Sequence, residues 1–311
     1  MKFRQLGNSG LTVSEIGLGC NNFGVRCDFE TTRKVLDKAI DLGINFFDTA
    51  DIYGNLGGSE TFMGQILEGR RDDIVLATKF GMSMNTGDAS RGSRRYIRKA
   101  IEASLTRLRT DYIDLYQFHE PDPNTPIEET LDALNELVLE GKVRYIGSSN
   151  FAGWQIAQAD HVARERGTQR FIAAQNHYSM IKRFIEDEVI PAANQYKVGI
   201  LPYYPLASGL LTGKFKRDQL APTGTRLASR PSELANADFD LIDELTKYSS
   251  ECGFTLLDLA FAWLLAEPTV SSVIAGATSI SQLEGNVASN RITLTKEQYD
   301  EVTLILSQHT K

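Results

Sequence analysis

Short apolar runs rich in valine, isoleucine and phenylalanine alternate along the chain with stretches whose apolar residues recur at helical spacing. The runs are 14–20 (SEIGLGC), 45–49 (NFFDT), 73–80 (DIVLATKF), 112–118 (YIDLYQF), 143–148 (VRYIGS), 171–176 (FIAAQN), 198–204 (VGILPYY) and 270–275 (VSSVIA). Most are continuous rather than alternating, which is the pattern of strands covered on both faces. Between 93 and 108, Ile97, Ile101, Leu105 and Leu108 mark one face of a helix. In TPIEETLDALNEL, Thr125 is placed to cap, Pro126 suits the first helical position and Glu128 completes a capping box. Gly43, Gly69 and Gly141 punctuate helix ends.

Eight such runs, each followed by helical sequence, predict a parallel sheet. A closed (β/α)8 TIM barrel and an open doubly wound sheet share that alternation. The length of 311 residues and the absence of an early G-x-G-x-x-G favour the barrel. The opening FRQLGNSGLTVSE predicts a small β-hairpin ahead of the first barrel strand. No Pro/Ser linker or charge run divides the chain, so residues 1–311 are expected to form a single domain. One connection is long. Between Leu206 and Val270 lie an irregular Gly/Pro-containing stretch and two helices, the pattern of a lid or binding loop.

Composition narrows the function. Hydrophobic residues make up 42%, ordinary for a soluble protein, and the net charge of −7 argues against a general nucleic-acid binder. No apolar run is long enough to span a bilayer, and MKFRQLGNSG lacks the apolar core of a secretory signal. Cys20, Cys27 and Cys252 make neither a disulfide framework nor a metal pattern, so a reducing cytoplasm and no metal are expected.

In a barrel the C-terminal strand ends share one rim, where active sites lie. The segment FFDTADIYG, 46–54, puts Asp48 at the end of strand two and Tyr53 in the loop beyond it. Lys79 sits near the end of strand three and His119 ends strand four. Each alone has a plainer reading: a helix cap, a packing phenol, a solvated lysine, a core histidine. Together they are four polar groups on neighbouring strand ends, which must share charge and hydrogen bonds. An ammonium about 4 Å from the phenol would favour the phenolate by roughly 4 kcal/mol, lowering its pKa by about 3 before desolvation opposes it. Tyr53 is thus the expected proton donor, Asp48 the group that orients Lys79, and His119 the group that orients a carbonyl. With no nucleophile or metal cluster in the set, proton donation to a carbonyl pairs most naturally with hydride addition.

The segments DTADIYG, LATKF, YQFHEPD and IGSSNF, in this order and spacing, resemble motifs of the aldo-keto reductases. The resemblance runs from the opening hairpin to GATSISQLEGN. It implies a (β/α)8 barrel, NADPH, and a catalytic set of Asp48, Tyr53, Lys79 and His119. It also implies that Ser149, Asn150 and Gln175 bond the nicotinamide carboxamide and that Tyr203 stacks on the ring. Leu206, Ser208 and Leu210 would line the pyrophosphate through or near their backbone, with Gly209 allowing close approach; Lys214 would meet phosphate, and Arg226 would reach the adenosine end. At strand eight, Gly276, Ala277 and Gln282 stand where several members have basic residues for the 2′-phosphate. Some relatives use a glutamine there, so NADPH stays favoured over NADH. Asn286 is the expected adenine contact. Ser279 and Gln282 also spell a capping box.

Phe23, Tyr178 and Tyr204 follow strand ends and are the expected substrate-binding aromatics. One helix, TKEQYDEVTLILSQ, fills the tail after Arg291, which predicts an open pocket and broad reduction of small aldehydes and ketones. Two other classes compete. Lys79 as a Schiff-base nucleophile would make the barrel an aldolase but leaves GSSN, Tyr203 and SGLLTGK without a purpose. A non-catalytic, cofactor-sensing subunit like those of potassium channels would share the same motifs.

Overall fold

A computed structural model describes residues 1–309. Its strands are β1 Phe3–Gln5, β2 Thr12–Ser14, β3 Ile16–Gly19, β4 Phe46–Asp48, β5 Val75–Phe80, β6 Ile113–Phe118, β7 Val143–Ser149, β8 Ala173–His177, β9 Gly199–Tyr203 and β10 Val273–Gly276. The first two form the antiparallel hairpin. The other eight form one parallel sheet in which β3 to β9 follow chain order and β10 pairs with β3. The Ile200 N–H donates to the Thr269 carbonyl at 2.7 Å and the Ser271 N–H to the Ile200 carbonyl at 3.0 Å, which brings the ring to closure. The fold is a (β/α)8 barrel with an N-terminal hairpin, as expected. The run beginning at 270 splits in two: its start makes the closing bonds and its end forms β10.

Side chains inside the barrel follow the two-residue period of a strand. Phe46, Ala77, Leu115, Ala173, Leu201 and Ile274 form one apolar cluster, and Leu6 and Val13 from the hairpin cover it. Burying a side chain of Phe or Leu size contributes roughly 1.5–3 kcal/mol. Two residues further along, Asp48, Lys79, Gln117 and Gln175 bond one another across the interior. A larger core lies between sheet and helices.

The helix Arg94–Leu108 buries Ile97, Ile101, Leu105 and Leu108; Ser93 caps it and left-handed Arg109 ends it. One predicted cap fails. The Thr125 hydroxyl donates to Asp122 at 2.7 Å, and the helix Ile127–Leu139 starts after an extended Pro126 with no side-chain cap bond. Asp122 also accepts the Gly92 N–H, so Thr125 serves a loop-to-loop tie instead. The long connection carries 3-10 turns, a short helix and the helices Phe239–Glu251 and Leu256–Ala266. No single helix among the described residues is long and apolar enough to cross a membrane.

Candidate active site

At the upper end of β4 the Asp48 carboxylate faces inward and accepts three side chains from three other strands. Lys79 donates at 2.7 Å to one oxygen; Gln117 at 3.1 Å and Gln175 at 2.9 Å donate to the other. A buried charge needs such satisfaction to be tolerated. Lys79 also donates to the Thr49 carbonyl at 2.8 Å. Burial pulls the pKa of Lys79 down, but the charge of Asp48 and the contact with Tyr53 outweigh it and hold the ammonium above its ordinary value.

The Tyr53 hydroxyl lies 3.5 Å from the Lys79 nitrogen. Its acidity runs against the sequence-based expectation. Burial raises the phenol above its ordinary value, Lys79 lowers it, and Asp48 raises it again. The ammonium is already neutralised by Asp48, so desolvation prevails and the phenol is firmly protonated. His119 meets the Tyr53 ring edge-on at 5.8 Å. Burial, aided by Lys79, holds the imidazole well below its ordinary pKa, and its buried Nδ1 has no partner.

An unusual turn places Tyr53. The Asp51 N–H donates to the Lys79 carbonyl at 3.1 Å and the Tyr53 N–H to Ala50 at 3.1 Å. Gly54, Asn55, Leu56 and Gly57 then all take positive φ. A Cβ on Gly54 would lie 2.3 Å from the Ser59 nitrogen, so only glycine fits.

The cavity above these groups measures about 760 Å³. Asp48, Tyr53 and His119 line it; Lys79 lies beneath, fully buried. Ser149, Asn150 and Gln175 line it too, as do Tyr203 and Tyr204. The Tyr203 hydroxyl donates to Asn150 at 2.8 Å, and its ring stacks on His177 at 5.2 Å. Further along come Leu206, Ser208 and Gly209, then Lys214 and Arg226. Gly276, Gln282 and Asn286 also line it. Ala277 is buried and outside the lining. Ser279 caps the helix Ile280–Ala288, but Gln282 accepts the Thr278 N–H at 2.9 Å, so the predicted capping box is half made.

Two expected contacts fall elsewhere. Phe23 is wholly buried in the core between sheet and helices, because its loop turns back on itself through a bond to Cys20. Tyr178 is buried against Trp263, with its hydroxyl on Glu186 at 2.9 Å. The Leu210 side chain packs in the apolar core within the 3-10 turn Ala207–Thr212, whose Ser208 and Gly209 line the cavity. The cavity instead includes Asn21, Asn22, Arg26 and Met82, which the sequence reading passed over, and Gln117 completes the Asp48 shell below it. The stretch after β3 sits at a strand end like the others; that position was the available signal.

Arg26, Lys214 and Arg226 converge on the cavity, and none forms an ion pair among the described residues. Arg226 donates to the Tyr204 hydroxyl at 2.7 Å and Arg26 to the Gly224 carbonyl. Three cations without carboxylates suit an anionic ligand.

The model of the Aldo/keto reductase family matches residues 15–306. The chain belongs to that family. This aldo/keto reductase is 40% identical to the uncharacterized oxidoreductase YrpG of Bacillus subtilis, over 96% of this chain and 93% of the relative. It is 35% identical to a probable voltage-gated potassium channel subunit beta of Oryza sativa, over 100% and 98% of the two chains. It is 32% identical to L-glyceraldehyde 3-phosphate reductase of Escherichia coli, over 97% and 91%. As a member of the family it is an NAD(P)H-dependent oxidoreductase acting on small carbonyl compounds.

Proposed function

We propose that this aldo/keto reductase, as one catalytic domain in the reducing cytoplasm, uses NADPH to reduce aldehydes and ketones, with Tyr53 as general acid. One observation carries the reading: the Tyr53 hydroxyl at the cavity wall stands 3.5 Å from the Lys79 nitrogen, which is itself locked to the buried Asp48 carboxylate. The bound dinucleotide supplies the hydride. Ser149, Asn150 and Gln175 offer the mixed donors and acceptors of a carboxamide, and Tyr203 offers a ring face. Arg26, Lys214 and Arg226 suit its phosphates; Gln282 and Asn286 suit the adenosine end.

As the carbonyl oxygen gains charge it becomes a far stronger base than a phenolate, so Tyr53 needs no lowered pKa to give up its proton. Lys79 then stabilises the phenolate left behind. Neutral His119 holds the carbonyl oxygen through a ring nitrogen. Tyr204 and Met82 flank the substrate. Lys79 is unsuited to Schiff-base chemistry, being fully buried and held charged.

NADPH and NADH oxidation with 4-nitrobenzaldehyde tests the proposal; a clear NADH preference would refute the cofactor choice. The potassium-channel relatives favour a second reading, a cofactor sensor. Tight NADPH binding with negligible turnover across aldehydes would select it.

A further inference from the structure

Behind the wall that carries Tyr53 lies a second charged cluster that the reaction does not use. Glu60 is fully buried on the helical stretch after the left-handed turn. One of its oxygens accepts Arg107 Nε at 2.7 Å and the other accepts the Thr78 hydroxyl at 2.5 Å. Thr78 directly precedes Lys79 on β5, with its side chain on the opposite face of the strand. The cluster therefore grips the Lys79 strand and the Tyr53 helix at once.

Arg107 also touches the turn itself. A Cβ on Gly57 would lie 2.6 Å from Arg107 Cδ and 2.8 Å from its Nε, so the guanidinium stem lies flat against the last left-handed residue. A Cβ on Gly64 would lie 2.2 Å from the Arg107 carbonyl oxygen, so the two helices meet at glycine on both sides of Glu60. Asn55 and Leu56 hold left-handed backbone without being glycine, a conformation that persists only where surrounding structure imposes it.

We infer that Arg107, paired with Glu60, is a positioning residue that fixes the left-handed turn and thereby sets Tyr53 within reach of Lys79. The inference rests on the reductase reading for its kinetic test but not for its spectroscopic one. Asp51, in the loop just before Tyr53, is buried and feels the charges of the cluster, and its Oδ1 has no partner. Burial first, and then the Glu60 carboxylate, push its carboxyl up to about 7, against the pull of Arg107 and Lys79. The Tyr96 and Tyr116 phenols feel its charge from the helix and from β6.

The test compares wild type, Arg107→Lys, and the double variant Glu60→Gln/Arg107→Met, which removes both charges of the ion pair together. With NADPH and 4-nitrobenzaldehyde, kcat should fall by roughly 10- to 100-fold, as expected for a displacement near 1 Å. KM and the Kd for NADPH should stay within about 3-fold, since neither residue lines the cavity. The pH profile of kcat should move in Arg107→Lys, which a purely structural role would leave in place. Unchanged kcat in a folded variant overturns the inference, as does an equal loss of kcat and cofactor binding. A second measurement needs no turnover. The Tyr53 resonance of [13C]tyrosine-labelled protein, assigned by its loss in Tyr53→Phe, should be displaced in the double variant relative to wild type, because the ring moves against Lys79 and His119. An unmoved resonance overturns the inference. A displaced resonance where the wild type itself shows no reductase activity supports it while the reductase reading fails.

Discussion

At the floor of the barrel, Phe46, Ala77, Leu115, Ala173 and Leu201 join the hairpin residues Leu6 and Val13 in one apolar cluster. Two residues further along the same strands stand Asp48, Lys79, Gln117, Gln175 and Tyr203. The backbone is the same in both layers; the rules that hold them differ. Apolar burial is non-directional, so the floor is secured by volume and exclusion of water. The upper layer is secured by partners: Lys79, Gln117 and Gln175 all bond the Asp48 carboxylate, and removing one leaves that charge less satisfied. The floor therefore stores stability, and the upper layer stores geometry.

Substitutions in each layer should separate these two properties. The largest effect is expected from Tyr53→Phe, which should lower carbonyl reduction by about 10²- to 10⁴-fold, the range for a general acid. The Kd for NADPH, read by fluorescence quenching, should barely change; equal loss of both would assign Tyr53 a structural role. At the floor, Phe46→Ala should remove about 3–5 kcal/mol of stability in a denaturant titration and leave kcat of the folded fraction near wild type. Lost turnover at full folding would show that the layers are not separable.

Gln117→Leu blurs the boundary by extending the apolar layer upward. It deprives Asp48 of one of three donors, which should lower stability by about 1–3 kcal/mol and reduce kcat as Asp48 and Lys79 relax. An unaltered Tm would mean that Gln175 and Lys79 alone satisfy the carboxylate.

The smallest expected effect is a pH dependence at the rim. His119 is neutral when folded and titrates near 6.5 when unfolded. Below that value the unfolded chain binds the extra proton, so the contribution is present above about pH 6.5 and is lost as pH falls. Between about pH 7.5 and 5.5, wild type should lose about 1.4 kcal/mol more stability than His119→Asn. Parallel pH curves would place the titration elsewhere.

Local pattern exposed the barrel well because a strand buried on both faces must be apolar wherever it lies. It also exposed Asp48, Tyr53, Lys79 and His119, since each sits at a strand end that the pattern locates. It did not expose Gln117, which reads as one more strand residue until the registers of β4 against β5 and of β5 against β6 bring it to Asp48. Phe23 and Tyr178 follow strand ends as Tyr204 does, yet their loops fold them into the core. Thr125 has the spacing of a cap and bonds Asp122 instead, because capping competes with whatever acceptor the neighbouring loop supplies.

The order of strands and helices, the polar residues at strand ends and the glycines that permit a left-handed turn are properties of neighbouring residues, and the chain alone determined them. The acidity of Tyr53, the neutrality of His119 and the partners of Asp48 came only with the closed barrel. Charge, solvent exclusion and hydrogen bonding act through space, and residues from 48 to 175 meet there only once the sheet has closed.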